Sequence, residues 1–182
     1  GFISATEKIV IVDEAYYEFS GKTVINLTDK YENLIVTRTL SKAFGLAGLR
    51  VGYLAANSSL IKKIERVRSP YNIDQFSQKM AEMVLKKRNL YKEKWNRIVE
   101  NRKILWDFLD NLKGAEPIPS EANFIMFNTV MEEKSVFEKL INKNIGIRFL
   151  PDLPVAGDAL RVTAGRRDEI DYFMSSIQDI LS

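Results

Sequence analysis

Lys42 lies in the stretch TLSKAFGLAGLR, Thr39–Arg50, where no packing requirement calls for an ammonium group. Ser41 precedes it directly, and Arg50 follows eight positions later. A lysine amine that is partly desolvated, or that sits near another cation, has a lowered pKa and can form a Schiff base with a carbonyl. A serine hydroxyl and a guanidinium fork suit a phosphate. A second group stands in IVIVDEAYYEF, where Asp13 ends an apolar run and Tyr16 follows three residues later. Ligands of open α/β sheets bind at the carboxyl ends of strands. A carboxylate there can keep a ring nitrogen protonated through a charge-assisted hydrogen bond, and a phenol one turn on can reach a neighbouring ring oxygen. Aspartate, tyrosine, the Ser-Lys pair and arginine together describe a site for pyridoxal 5'-phosphate. Asp13 would keep the ring charged as an electron sink, and Lys42 would hold the aldehyde.

Each residue also has a plainer reading. Asp13 could cap a helix after the strand, and Tyr16 could be an ordinary half-buried aromatic. Ser41 and Lys42 could belong to a solvated loop. Arg50, flanked by Leu49 and Val51, could face outward from a strand.

The elements that must position these groups alternate between strand and helix. Ile9–Val12 is a short β-branched run, expected as a buried parallel strand. Leu34–Thr37 and Leu49–Ala55 are further strand candidates. Ser58 or Ser59 is expected to cap a helix carrying Leu60, Ile61, Ile64 and Val67, which Pro70 stops. Asp74 opens a long helical tract to Leu112, broken near Lys87–Asn89 and closed by Gly114. Then come a strand at Phe124–Phe127, a helix around Val136–Asn142, strands at Gly146–Phe149 and Leu160–Thr163, and a final helix with Ile170, Phe173, Met174, Ile177 and Leu181 on one face. The expected division lies within the helical tract, giving domains of residues 1–80 and 81–182. Three short strands cannot cover both faces of a parallel sheet, so the chain is expected to be truncated.

Composition narrows the chemistry. The 182 residues include no cysteine and no histidine. Histidine-based triads and the usual His/Cys zinc sites are thereby excluded, no metal is expected, and a reducing cytoplasm is the default location. No run approaches the roughly 18–20 apolar residues of a membrane-spanning helix. The net charge of +3 is mildly basic, and much of the basic density falls in Lys86–Lys103. In that tract and beyond it, Tyr91, Trp95, Ile98, Leu105, Leu109 and Leu112 recur at helical spacing. The charges therefore read as a solvated helix face rather than a nucleic-acid stripe.

VDEAYYEF together with RTLSKAFGLAGLRVGY resembles the fold-type I pyridoxal-phosphate aminotransferases, and among them the histidinol-phosphate aminotransferase branch. SPYNID, SEANFIMF and LRVTAG extend the resemblance over essentially the whole chain. It implies an α/β fold: the C-terminal half of a large-domain sheet plus a small α/β domain. It also implies a role for each matching residue. Lys42 matches the lysine that holds the cofactor aldehyde and later moves a proton. Asp13 matches the partner of the pyridine nitrogen, and Tyr16 the hydroxyl at the ring oxygen. Ser41 and Arg50 match ligands of the cofactor phosphate. Arg161 matches the arginine that grips the anionic end of the substrate, although alternation with Leu160 and Val162 also allows a surface position. Arg148 matches a second arginine near the substrate phosphate. Asn123 matches the family wording too, and reads as a structural brace.

The implied activity is transamination between histidinol phosphate and 2-oxoglutarate by a homodimeric enzyme, with an amino donor and a 2-oxo acid as small-molecule partners. A threonine-phosphate-type decarboxylase or an aromatic aminotransferase of the same fold is the alternative. Members of the family carry about as much chain again before this sequence begins. That part supplies a glycine-containing phosphate loop, an aromatic stacked on the cofactor and a tyrosine lent across the dimer. The isolated fragment is therefore expected to be inactive. A non-catalytic nucleic-acid module using Lys86–Lys103 is the reading from another class.

Overall fold

In the computed structural model, which describes residues 2–182, the chain divides into two compact units, one ending at Lys92 and one spanning Glu93–Ser182. The first is built on a three-stranded sheet of β1 (Val10–Asp13), β2 (Leu34–Thr39) and β3 (Gly52–Ala56), in the order β1-β2-β3. β1 runs parallel to β2, with Val10 opposite Leu34 and Asp13 opposite Thr37. β3 runs antiparallel to β2, with Arg38 opposite Tyr53 and Thr39 opposite Gly52.

β2 is the central strand, and its apolar run Leu34–Val36 is buried. β1 departs from the expectation of a buried strand. Its burial alternates, and Ile9 and Ile11 are 58% and 64% exposed. Successive side chains of a strand point to opposite faces, and only one face of β1 is covered, so one set packs while the alternate set faces out.

β3 begins at Gly52, not at Leu49. Ala47–Leu49 forms a 3-10 turn, and Arg50 closes it in the left-handed region at φ 54°. At Gly52 a Cβ would stand 2.9 Å from the Arg38 carbonyl oxygen, so the approach of β2 leaves no room for a side chain there.

A four-residue α1 (Tyr17–Ser20) follows β1 and ends at Gly21 at φ 68°. α2 (Ser58–Glu65) is capped by Asn57, whose side chain accepts from the Ser59 amide at 3.0 Å. Ser58 and Ser59 thus lie inside the first turn, and Val67 falls beyond the helix, 84% exposed. α3 (Gln75–Lys86) starts as the sequence implies, with the Ser77 amide donating to Asp74 Oδ1 at 2.8 Å. A 3-10 turn over Arg88–Tyr91 then separates α3 from α4 (Lys92–Asn111), which buries Trp95, Leu105 and Leu109.

The second unit carries a four-stranded sheet of β4 (Ala115–Ile118), β5 (Phe124–Thr129), β6 (Arg148–Leu153) and β7 (Gly157–Thr163) in the order β4-β5-β7-β6, with every pairing antiparallel. α5 (Glu133–Asn142) and α6 (Arg167–Leu181) complete it. Leu109, Ile125, Phe127, Leu140, Leu160 and Ile177 are fully buried in one core. β4 has no counterpart in the sequence reading, and β6 starts later than expected. Both strands contain a proline, Pro117 and Pro151, and both lie at sheet edges, where a missing amide donor is tolerated.

Candidate active site

Because β1 and β2 are parallel, their carboxyl ends lie at the same edge of the sheet. The chain leaves that edge through Asp13–Tyr16 on one strand and through Leu40–Lys42 on the other. The Asp13 side chain is exposed. Its Oδ1 accepts from the Ala15 amide at 3.0 Å and from the Thr37 hydroxyl at 3.3 Å. Among the described residues its Oδ2 has no protein partner, which leaves one carboxylate oxygen for a ligand. The cap position of α1 belongs to Tyr16, so Asp13 forms an Asx-type turn and does not cap the helix.

Tyr16 is half-buried, and Lys42 Nζ stands 5.8 Å from its ring centroid. The lysine itself is exposed, but the backbone that carries it is held. Leu40 is fully buried, and its amide donates to the Val51 carbonyl at 3.1 Å. The Leu46 amide returns to the Leu40 carbonyl at 3.0 Å, closing the loop, and Gly45 takes φ 70° within it. Phe44, also buried, packs on Tyr91 with ring centroids 5.4 Å apart. Two apolar anchors on either side of Lys42 thus aim its side chain out of the sheet edge.

Ser41 and Arg50 share this loop region without touching each other. The Ser41 amide donates to the Thr39 hydroxyl at 3.1 Å, and its own hydroxyl has no partner among the described residues. Arg50 is not a strand residue. Its guanidinium turns back to the Ala47 carbonyl at 3.3 Å and has no carboxylate partner among the described residues. A cavity of about 320 Å³ is lined by Asp13 and Tyr16 with Tyr17, Thr23 and Val24, and Ser41, Lys42 and Arg50 do not line it. The donor set suits a charged heterocycle bearing an oxygen, an aldehyde and a phosphate: a free carboxylate oxygen, a phenol and an amine at one strand edge, and in the loop that follows a hydroxyl without a partner among the described residues and a guanidinium without a carboxylate partner among them.

Sequence reasoning missed the network beneath these groups. Glu14 is buried, and its carboxylate accepts from the Thr23 hydroxyl at 2.8 Å, the Val24 amide at 2.7 Å, and Arg38 Nε and Nη2 at 3.0 and 2.8 Å. Arg38 also lies over the Tyr17 ring, 3.6 Å from its centroid, and Nη2 donates to Thr23 at 2.9 Å. Burial opposes ionisation of Glu14, yet the bonds from Val24, Thr23 and Arg38 outweigh it and hold the carboxyl below its ordinary range. Burial likewise disfavours the charged Arg38, and its bonds to Glu14 and Tyr53 more than compensate. The available signal was an acid directly after Asp13 and an arginine in RTLSK, but their pairing spans 24 residues of sequence.

In the second unit, Arg148 on β6 and Arg161 on β7 stand directly opposite each other. Like charges at such a position repel, and among the described residues neither guanidinium has a carboxylate within 4.0 Å. The Arg161 guanidinium lies 5.0 Å from the Phe124 ring centroid and is half-buried, while Arg148 is exposed. Two guanidinium forks on adjacent strands, neither paired with a carboxylate, suit an anion such as a phosphate or a carboxylate. Asn123 contributes its carbonyl, which accepts from the Ala164 amide at 2.8 Å. No group of three or more acidic residues among the described residues is placed to hold a metal, and no helix is long and apolar enough to cross a membrane.

Residues 2–177 match the family model described as aminotransferase class I and II. The chain belongs to this family. It is 41% identical over 180 residues to the histidinol-phosphate aminotransferase of Caldanaerobacter subterraneus subsp. tengcongensis, an overlap of 99% of this chain and 51% of that protein. The crystal structure of the histidinol-phosphate aminotransferase from Sinorhizobium meliloti in complex with pyridoxal-5'-phosphate superposes with a TM-score of 0.83 at 22% identity, covering 95% of this chain and 48% of the other. The L-threonine-O-3-phosphate decarboxylase from Porphyromonas gingivalis gives a TM-score of 0.84 at 20% identity, covering 94% and 54%. At these identities the two solved structures establish a shared fold. This aminotransferase-family chain spans about half the length of the curated relatives it matches.

Proposed function

We propose that this chain is the C-terminal half of a pyridoxal-phosphate-dependent histidinol-phosphate aminotransferase, a cytoplasmic homodimer that exchanges an amino group between histidinol phosphate and 2-oxoglutarate. The observation that carries the reading is the placement of Lys42 over Tyr16 at the strand edge that also bears Asp13. Its identity with a histidinol-phosphate aminotransferase supports the choice of branch.

Within this reading each residue has one task. Lys42 is the amine that would hold the cofactor through its aldehyde, and the same amine would serve as the proton carrier at the substrate's α-carbon. Asp13, through its open Oδ2, keeps the ring nitrogen protonated. Tyr16 donates to the ring oxygen. Ser41 and Arg50 hold the phosphate. Arg161 grips the anionic end of the substrate, and Arg148 adds a second fork. Because both forks are planar and unpaired, the same site accepts the phosphate of one substrate and a carboxylate of the other. When bound, pyridoxal phosphate supplies the electron sink that weakens bonds to the substrate's α-carbon. The chain spans about half the length of the curated relatives it matches, and on this reading it would by itself be inactive or nearly so and would bind the cofactor weakly.

The test uses the full-length protein loaded with pyridoxal phosphate. Lys42→Ala should abolish the absorption of the lysine-bound cofactor, and retention of that absorption would reject the assignment. Decarboxylation of a phosphorylated amino acid is a second reading, favoured by the fold shared with the threonine-phosphate decarboxylase. Release of carbon dioxide without consumption of 2-oxoglutarate would select it.

A further inference from the structure

Glu14 and Arg38 touch none of the groups assigned above, yet every bond they make bears on where those groups stand. Glu14 is the residue after Asp13, Tyr17 is the residue after Tyr16, and Arg38 lies on β2 four residues before Lys42. The Glu14 carboxylate is filled by two bonds from Arg38, one from the Val24 amide and one from the Thr23 hydroxyl, while its own amide donates to the Thr37 carbonyl at 2.8 Å. Arg38 lies over the Tyr17 ring and is almost fully covered, with 9% of its side chain exposed against 6% for Glu14. No buried side-chain polar atom among the described residues is left without a partner, and the Glu14 carboxylate is filled from within the protein.

A buried ion pair is weak grounds for stability, because desolvation of both charges offsets most of their attraction and apolar residues of similar size often do as well. What a closed, bidentate pair does supply is direction. We propose that the Glu14–Arg38 pair, braced by Thr23 and Tyr17, is a positioning device that fixes Asp13 and Tyr16 relative to Lys42. The inference rests on the function proposed above and assigns both residues as positioning groups. Glu14 lies just past the end of β1, where its amide donates to the Thr37 carbonyl at 2.8 Å, so holding its side chain inward restrains the backbone that carries Asp13. Holding Tyr17 under the guanidinium fixes the first turn of α1, and with it the ring of Tyr16. Because Arg38 belongs to the strand that leads into Lys42, a single side chain ties both halves of the strand edge together.

The experiment separates positioning from folding. In the full-length protein, the double change Glu14→Gln with Arg38→Met removes both charges together. It leaves an acceptor for the Val24 amide and an aliphatic stem over Tyr17, so no unpaired charge is buried. Without cofactor, its thermal midpoint should stay close to the parent's, while amide hydrogen exchange at Ala15, whose N–H is bound by Asp13, should speed up at least tenfold. With cofactor, the pH midpoint of the absorption band should move, and kcat should fall at least tenfold with a smaller change in KM. Arg38→Lys keeps the charge but cannot give two parallel donors or lie flat on a ring, and should not restore these readouts. Unchanged Ala15 exchange and an unchanged absorption midpoint in the double variant, or full rescue by lysine, would overturn the proposal. Should the double variant lose its fold, the cofactor-free exchange pattern of Arg38→Lys decides: selective acceleration at Ala15 supports positioning, and native protection there rejects it. Failure of the Lys42 assignment would show separately, as lysine-bound absorption surviving Lys42→Ala.

Discussion

The two units place their chemical groups by different means. In the second, Arg148 and Arg161 ride on adjacent strands of a sheet whose inner face is sealed by Leu109, Ile125, Phe127, Leu140, Leu160 and Ile177, all at 0% exposure. Apolar packing sets the strands, and pairing register sets the arginines. In the first, Asp13, Tyr16 and Lys42 stand on segments that leave a three-stranded sheet, and Ile9, Ile11, Tyr53 and Leu54 on that sheet's strands or flanks are exposed. Polar bonds and a few buried anchors such as Leu40 and Phe44 do the placing there. Geometry held by packing is costly to disturb and insensitive to pH. Geometry held by an ion pair is the reverse.

The largest effect expected is in the packed unit. Phe127→Ala removes a fully buried ring that meets Phe173 edge-on at 6.2 Å, and should cost about 3–5 kcal/mol in urea unfolding. A loss well under 1 kcal/mol would mean that this core does not set the sheet. Next come the forks. On the proposed function, Arg161→Ala in the full-length protein should weaken binding of histidinol phosphate by roughly 10- to 100-fold, the loss of one charge-assisted contact. Arg148→Ala should weaken it less, because that side chain is exposed, and steady-state KM measurements would rank the two. A reversed ranking would move the anion toward the sheet edge.

The pH response sharpens the contrast from the other side. Glu14 is held below its ordinary value of 4.5, so its contribution to stability is complete above that pH and is lost as pH falls through the lower folded value. Urea midpoints taken between about pH 5 and pH 3 should fall less steeply in Glu14→Gln than in the parent. Equal slopes would show that the network carries no linkage. The smallest effects expected are at helix starts: Asn57→Ala should cost about 1 kcal/mol in urea unfolding, and Asp74→Ala should lower the urea midpoint slightly.

The sequence made visible whatever depends on local pattern. The strand ends bearing Asp13 and Lys42, the Asp74 cap, the break near residue 88 and the apolar face of α6 all follow from spacing within one or two turns. Hidden were features decided by distant chain. Arg50 reads as a strand residue between Leu49 and Val51, but a 3-10 turn before it leaves it in the left-handed region. Pro117 masks β4 because a proline argues against a strand until its edge position is known. The pairing of Glu14 with Arg38 and the register that faces Arg148 to Arg161 both need the assembled sheets.

The central claim is that one amine, that of Lys42, holds the cofactor. The direct measurement is borohydride reduction of the pyridoxal-phosphate-loaded full-length protein, followed by peptide mass mapping. The account predicts the phosphopyridoxyl mass on the peptide containing Lys42 and on no other. Stoichiometric labelling of a different lysine, with Lys42 unmodified, would contradict it.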